Sequence, residues 1–411
     1  MCLPYYKKLG WNPVIITVKE NYIDCYTDNL LTKTFPTNIE IHKVDALPVK
    51  TTRKFGLGSL SIRSFFQIMK KGNQLLKRGD IDLIFFSTTA FHVLRLGPYW
   101  KKKFGIPFVV DIQDPWRNDY YLDKPKNQRP PKFYLNYLID KKLETSTIPK
   151  ASGIISVSNG YIEMFKNRYP EIHQNKYLLL PFCSSSIDFD IANEYVTHHL
   201  SYNLLNPKNY NILYIGRGGF DLNFAIEIIF TAFKNLKERD AHKFNNVKFI
   251  FAGTSYAPEG KGCKTIEPIA EKLGIKYWVI EMTDRIPYFE VLSLLPKANL
   301  LFVPGSIDTS YTASKIYPYI LSKKPILSIF NEKSSVVSII KKSKSGVVIE
   351  FGETTKKEEL IKNTEIQLEN FIDGNLNDIN YDSVYMENNH SSEHNTKMQT
   401  DFFNDVVNHR I

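Results

Sequence analysis

One unit recurs along this chain: a short apolar run of strand length, followed by a stretch long enough for an amphipathic helix. In the first half the runs are PVIITV (13–18), DLIFFST (82–88), PFVVDI (107–112), GIISVS (153–158) and KYLLLPF (176–182). The second half repeats the pattern with YNILYIG (210–216), VKFIFAG (247–253), YWVIEM (277–282), NLLFVPG (299–305) and PILSIF (325–330). Helices are expected between them, for instance over 222–239 and 266–274. Near-continuous apolar runs mark strands buried on both faces, which is how parallel sheets sit between helix layers. The alternation therefore predicts an α/β chain built from open, doubly wound sheets.

With 411 residues there is room for two such domains of similar size. They are expected over 1–185 and 186–385, with the connection near 183–207. The segment 386–411 is a tail whose amphipathic stretch TKMQTDFFNDVVN either packs back on the N-terminal domain or stays mobile. At the start, LPYYKKLGWNPVIITV reads as the end of a helix and then a strand, as if the chain began inside its first β-α unit. A doubly wound domain ordinarily opens with a strand and a glycine-rich turn.

Composition narrows the setting. A hydrophobic fraction of 43% with 13% aromatics is that of well-filled cores and excludes global disorder. No apolar run is long enough to cross a bilayer, and MCLPYYKKLGW lacks the form of a signal peptide. Cys2, Cys25, Cys183 and Cys263 have no metal-ligand spacing, so a reducing, cytoplasmic setting is expected. The net charge of +10 calls for an anionic partner: a nucleotide, a phosphorylated lipid surface or nucleic acid. No nucleic-acid motif or aromatic platform accompanies the lysines, and nucleic acid is not expected as a partner.

Two turns in the second half carry the most chemistry. In YIGRGGFDLNFAIEI a strand ends at Gly216, and Arg217, Gly218 and Gly219 lead into a helix. Glycines permit close backbone approach, a helix N-terminus favours anions, and arginine offers a fork of donors. A diphosphate site and a tight turn with a solvated arginine both fit this string. In PGSIDTSYTASKIYPY a second strand ends at Gly305, with a helix expected from Thr312 or Ala313. The hydroxyls of Thr312 and Ser314 are suited to cap that helix, and its N–H groups and Lys315 would face the same edge as Arg217. A lysine at a helix N-terminus is electrostatically unfavourable unless an anion balances it. Two cationic turns on one sheet edge make a pyrophosphate site.

The first domain offers Asp111, Gln113, Asp114, Trp116 and Arg117 at a strand end, candidates for acceptor positioning or base work unless Asp114-Pro115 is simply a turn. Asp188 and Asp190 have a D-x-D spacing, read as a solvated helix start rather than a metal site. Ile62, Phe65, Phe66 and Met69 form a helical stripe flanked by Arg63, Lys70, Lys71, Lys77 and Arg78. That stripe, like PYWKKKFG (98–105), suits either a core face or an anionic membrane surface. His92 at a strand end reads as structural.

These segments together resemble a GT-B glycosyltransferase, close to family 4 of that group. The resemblance rests on DLIFFSTTAFHVLRLGPYWKKKFGIPFVVDIQDPW, ASGIISVSNGYIEMF, ILYIGR, FIFAGT, LLFVPGS and above all SKIYPYILSKKPIL, and it covers nearly the whole chain. It implies two Rossmann-like doubly wound domains facing a central cleft, the first receiving the acceptor and the second binding a nucleotide diphosphate sugar. Transfer would retain the anomeric configuration, without a metal and with no cofactor beyond the donor itself. Arg217 and Lys315, with Gly216, Gly218, Thr312 and Ser314, would hold the diphosphate. Residues from Ser306 to Thr312 would face the sugar, and Arg285, Ile286 and Pro287 lie where the family reads the base. Asp111, Gln113 and Asp114 are the catalytic candidates. Two positions depart from the pattern: Pro318 stands where a glutamate usually meets the ribose, and Gln113 where many relatives carry histidine.

The leading expectation is a glycosyltransferase for surface polysaccharide, using a glycan or lipid-linked acceptor at the inner face of the cell membrane. Pro318, Gln113 and the abrupt start keep open a non-catalytic nucleotide-sugar-binding protein of the same fold. A sugar-nucleotide epimerase would need a carboxylate pair in the donor cleft, which the sequence does not supply.

Overall fold

The computed structural model describes residues 2–23, 28–55, 57–117, 119–123, 125–126, 129–130, 132–195, 204–307, 313–376 and 379–410. Two compact units emerge, one drawn from 2–27, 35–181 and 395–411, the other from 28–34 and 182–394.

The first unit contains β1 Val14–Val18, β2 Glu40–Val44, β3 Ile84–Ser87, β4 Phe108–Ile112, β5 Gly153–Ser156 and β6 Tyr177–Leu179. Its first helices are α1 Leu3–Tyr6, α2 Val49–Thr52, α3 Leu60–Arg63 and α4 Phe65–Leu76. They are followed by α5 Leu96–Phe104, α6 Phe133–Thr147 and α7 Asn159–Arg168. Strands β3 to β6 pair in chain order as a parallel sheet, and β1 and β2 form a separate parallel pair. Every residue of β4 is buried. Phe108, Val110 and Ile112 join a core with Trp100, Trp116 and Phe165, while Val109 turns to the opposite face.

The second unit holds one parallel sheet of β7 Tyr210–Ile215, β8 Val247–Ala252, β9 Val279–Met282, β10 Leu300–Pro304, β11 Ile326–Asn331 and β12 Gly346–Phe351. Its spatial order is β12-β11-β10-β7-β8-β9. The chain thus winds outward from β7 in one direction and from β10 in the other, and the switch point lies between those two strands. In sheets of this order ligands bind beyond the carboxyl ends of the strands, at that switch point.

The helices of this unit are α8 Ser186–Tyr195, α9 Asn223–Arg239, α10 Glu267–Lys272 and α11 Tyr288–Leu294. After them come α12 Ile316–Leu321, α13 Ser335–Ser343, α14 Lys357–Ile372 and α15 Ser383–His390. Along β7, Ile212 and Tyr214 face a core with Phe230, Phe233, Leu368 and Phe371 of α9 and α14. Leu213 and Ile215 face the other core, with Phe289, Tyr319 and Ile340.

From residue 395 the chain belongs again to the first unit. Within α16 Ser392–Val407, the side chains of Phe402, Phe403 and Val406 pack with Val109, Ile155, Leu180 and Tyr6. Gly153 allows this approach, because a Cβ there would lie 2.6 Å from the Phe402 ring.

Candidate functional site

The site begins with a ladder that changes hands. β10 pairs with β7 through Leu300 and Leu301, opposite Ile212 and Leu213. Further along β7, the hydroxyl of Tyr319 takes over: it accepts from the Ile215 N–H at 2.7 Å and donates to the Ile215 carbonyl at 3.2 Å. Tyr319 lies on α12 and is almost wholly buried, so this helix is keyed to the end of β7. Buried backbone groups must find partners, and here a side chain supplies both.

That key places Lys315, the residue just before α12, against the end of β7. Its Nζ donates to the Tyr214 hydroxyl at 2.9 Å and lies 4.7 Å from the centre of the same ring. A Cβ on Gly216 would fall 2.0 Å from that Nζ, so only glycine leaves the ammonium its place. Burial, and then the charge of Arg217, lower the Lys315 ammonium from 10.5 to about 7. Lys315 and Arg217 thus feel each other's charge at one sheet edge.

Arg217 makes a two-pronged pair with Asp221, at 2.8 and 2.7 Å. Asp221 also hydrogen-bonds Ser306, beyond β10, and its backbone carbonyl accepts from the Ile307 N–H at 3.2 Å. Burial pushes the Asp221 carboxyl upward, but Arg217 and Ser306 outweigh it and hold it below the ordinary carboxylate range. The Tyr214 hydroxyl donates to the Arg217 carbonyl at 2.8 Å, and the Gly218 N–H donates to the Thr254 carbonyl at 2.7 Å. A Cβ on Gly218 would sit 2.5 Å from Thr265 Oγ1. Beyond this loop α9 opens without a side-chain cap. A 3-10 turn, Phe220–Leu222, leads directly into it and takes up the Asn223 N–H. The dipole of turn and helix together adds positive potential to the edge holding Lys315 and Arg217.

The helix after Lys315 starts at Ile316, later than the sequence suggests, and has no side-chain cap. Ser314 is exposed and does not cap it, and Thr312 lies outside the described residues. Pro318 is the third residue of α12, where no intrahelical N–H bond is required. It costs the short helix nothing, and it brings no acceptor.

Arg285 follows β9, and its guanidinium lies over the exposed Tyr256 ring, 4.4 Å from the ring centre. Pro287 precedes the first turn of α11. Beneath this edge Glu281 is buried and accepts from Thr254 Oγ1 and from the N–H groups of Thr265, Ile266 and Glu267. One carboxylate thereby caps the start of α10 and ties it to the loop after β8.

In the first unit the Asp111 side chain is buried within β4. It accepts from Gln113 Nε2 at 2.7 Å and from Ser87 Oγ at 3.4 Å. Burial raises its pKa against both of these hydrogen bonds. Asp114 is exposed, and partial desolvation raises its pKa as well. The loop that carries them is braced by buried Glu144. This carboxylate accepts from the Arg117 N–H, from Arg168 and from the Tyr169 hydroxyl, while Arg168 also reaches Asp119 and the Arg117 carbonyl.

Other candidates have structural roles. Asp188 is buried in α8 and accepts from the Tyr288 hydroxyl at 2.8 Å, while Asp190 points to solvent. The D-x-D pair therefore does not converge. Arg63, read as flanking a membrane stripe, is buried and donates to the carbonyls of Gly58, Leu47 and Tyr22. Of the stripe itself, Phe65 and Met69 pack on the core, while Phe66 is 67% exposed. His92 bonds Ser61 and lies 4.0 Å from Asp140. Tyr214, Asp221 and Tyr319 are the residues that sequence reasoning missed. The signal available for Tyr214 was a hydroxyl-bearing residue within the apolar end of β7, two positions before the glycine.

No protein-family model matches this chain, and no curated protein matches it in sequence. Solved structures do resemble it. A glycosyltransferase from Rickettsia africae superposes with a TM-score of 0.59 at 13% identity, covering 99% of this chain and 93% of its own. Anabaena HepE in complex with UDP-glucose gives a TM-score of 0.56 at 13% identity, over 92% of this chain and 88% of that one. WaaG, a glycosyltransferase involved in lipopolysaccharide biosynthesis, gives 0.51 at 15% identity, over 90% and 87%. At such identities the likeness speaks to the fold. The chain has the GT-B architecture, with two Rossmann-like domains, as the resemblance of its segments implied.

Proposed function

We propose that this chain is a glycosyltransferase that moves a sugar from a nucleotide diphosphate sugar to a glycan or lipid-linked acceptor in surface polysaccharide synthesis. The observation that carries the reading is the meeting of Lys315, Arg217 and the α9 N-terminus at the β7–β10 switch point. A diphosphate placed there would restore the Lys315 proton and balance the positive charge that Asp221, paired with Arg217, leaves uncompensated. On departure of the sugar the same groups would stabilise charge on the leaving diphosphate. HepE, which shares the fold, has been crystallised with UDP and with UDP-glucose, and that supports a nucleotide ligand here. The exposed Arg285–Tyr256 pair is a flat surface suited to stacking a base. Retention of configuration and independence from metal belong to this proposal and follow from the resemblance.

A second reading is binding without turnover. It is favoured by the engagement of Asp111 with Gln113 and Ser87, and by Pro318 in place of a ribose acceptor. Incubation with a panel of nucleotide sugars and membrane extract separates the two. Sugar transfer or donor hydrolysis supports the enzyme; tight donor binding with neither supports the binding protein. Failure to bind any donor contradicts both.

A further inference from the structure

Helix α6 is built inside out. Glu144, with no exposed surface, and Thr147 lie on its buried face, and Asp140 accepts from Trp116 Nε1 at 3.2 Å. Leu143 packs on the core, but four apolar residues of the first turns face water: Tyr134 is 53% exposed, Leu135 59%, Leu138 62% and Ile139 43%. With spacing i, i+1, i+4 and i+5 they form one strip, about 140° wide at 3.6 residues per turn. The strip is continuous over the first turns of the helix, and scattered surface leucines would not produce it.

The exposed charges on and just before the helix have one sign, and Asp119, which accepts from the adjacent Tyr137 hydroxyl, is paired with Arg117 and Arg168. Lys132 precedes the helix, and Lys141 and Lys142 continue the same face one turn on; all three are exposed. None of the three forms an ion pair among the described residues. Arg129 lies over the Tyr134 ring, 4.9 Å from its centre. The helix's own carboxylates, Asp140 and Glu144, are engaged by Trp116 and Arg168 on the other side. An apolar strip framed by lysines and arginine matches the boundary of an anionic lipid leaflet. There the apolar side chains enter the acyl region while the lysine heads reach back to phosphates.

We propose that α6 is the membrane-contact element of this chain, lying in the plane of an anionic leaflet with Tyr134, Leu135, Leu138 and Ile139 inserted. This strip differs from the stripe of Ile62, Phe65, Phe66 and Met69, where Phe65 and Met69 pack on the core and Arg63 is buried. The proposal stands on α6 alone and is independent of the sugar-transfer reading.

Co-sedimentation with vesicles of phosphatidylglycerol or phosphatidylcholine tests it, using the full chain, Leu135→Gln/Leu138→Gln and Lys141→Gln/Lys142→Gln. The full chain is expected to bind phosphatidylglycerol in preference to phosphatidylcholine, and less strongly at high salt. The leucine variant should lose at least about tenfold in affinity and the lysine variant about tenfold. Melting temperature and nucleotide affinity, measured on the same variants, should not change. No binding to phosphatidylglycerol, or undiminished binding by the leucine variant, overturns the proposal. So does a native dimer that the leucine variant dissociates without any vesicle binding, since the strip would then serve a second copy.

Discussion

Two features of Lys315 disfavour its charge: its ammonium is desolvated, and it sits beside another cation. Without ligand its amine passes from charged to neutral near pH 7, whereas the unfolded chain keeps that proton up to 10.5. Two predictions follow at this scale. A diphosphate selects the charged amine, so binding takes up a proton above neutrality and affinity falls by about tenfold per pH unit there. Calorimetry in buffers of different ionisation enthalpy reads that uptake directly. Stability behaves in the complementary way. Between about 7 and 10.5 the unfolded state binds more protons, so the unliganded fold gains stability as pH rises and loses it toward neutrality. Lys315→Met should therefore melt higher than the native chain at or just below neutral pH, by on the order of 2–4 °C, while losing nucleotide affinity. Arg217 and Lys315 were legible in the sequence because a cation at a turn that favours anions is conspicuous. Tyr214 and Asp221 were not, since their roles depend on contacts between separate turns.

At the scale of elements, α12 is held by one hydroxyl. Tyr319→Phe leaves both Ile215 backbone groups short of a partner and should cost about 1–3 kcal/mol in urea unfolding. Nucleotide affinity should fall with it, because the helix no longer fixes Lys315. In the first unit, Arg168→Met strips buried Glu144 of its cation, although the Tyr169 and Arg117 hydrogen bonds remain. A cost of about 3 kcal/mol is expected, read by the same unfolding measurement. Elements were least legible where burial is one-sided. β2, Glu40–Val44, is largely exposed and mixes charged with apolar residues, so it has no apolar run to see. β12, Gly346–Phe351, is an edge strand directly after a lysine-rich helix end. The polar region after 352 hides α14, whose Leu360, Thr364, Leu368 and Phe371 make one buried stripe among charges. Inside-out α6 escaped notice for the opposite reason, since apolar residues on a helix are ordinarily read as core.

For the whole molecule, the pattern of doubly buried runs was enough to anticipate parallel sheets, while the GT-B architecture was expected from the resemblance carried by segments such as SKIYPYILSKKPIL. Periodicity reports layers, and layers define this fold class. It does not report which loops meet at a switch point, because that depends on strand order. The central claim is that the meeting of Lys315 and Arg217 exists to hold a diphosphate. The most direct measurement is calorimetric titration of nucleoside diphosphates, each against its parent nucleoside, with the native chain and with Lys315→Met. At least one diphosphate should bind more than tenfold tighter than its nucleoside, as expected for charge-assisted hydrogen bonds of about 1.5–3 kcal/mol, and that margin should collapse in the variant. Equal binding of diphosphate and nucleoside, or a margin unchanged in Lys315→Met, would contradict the account.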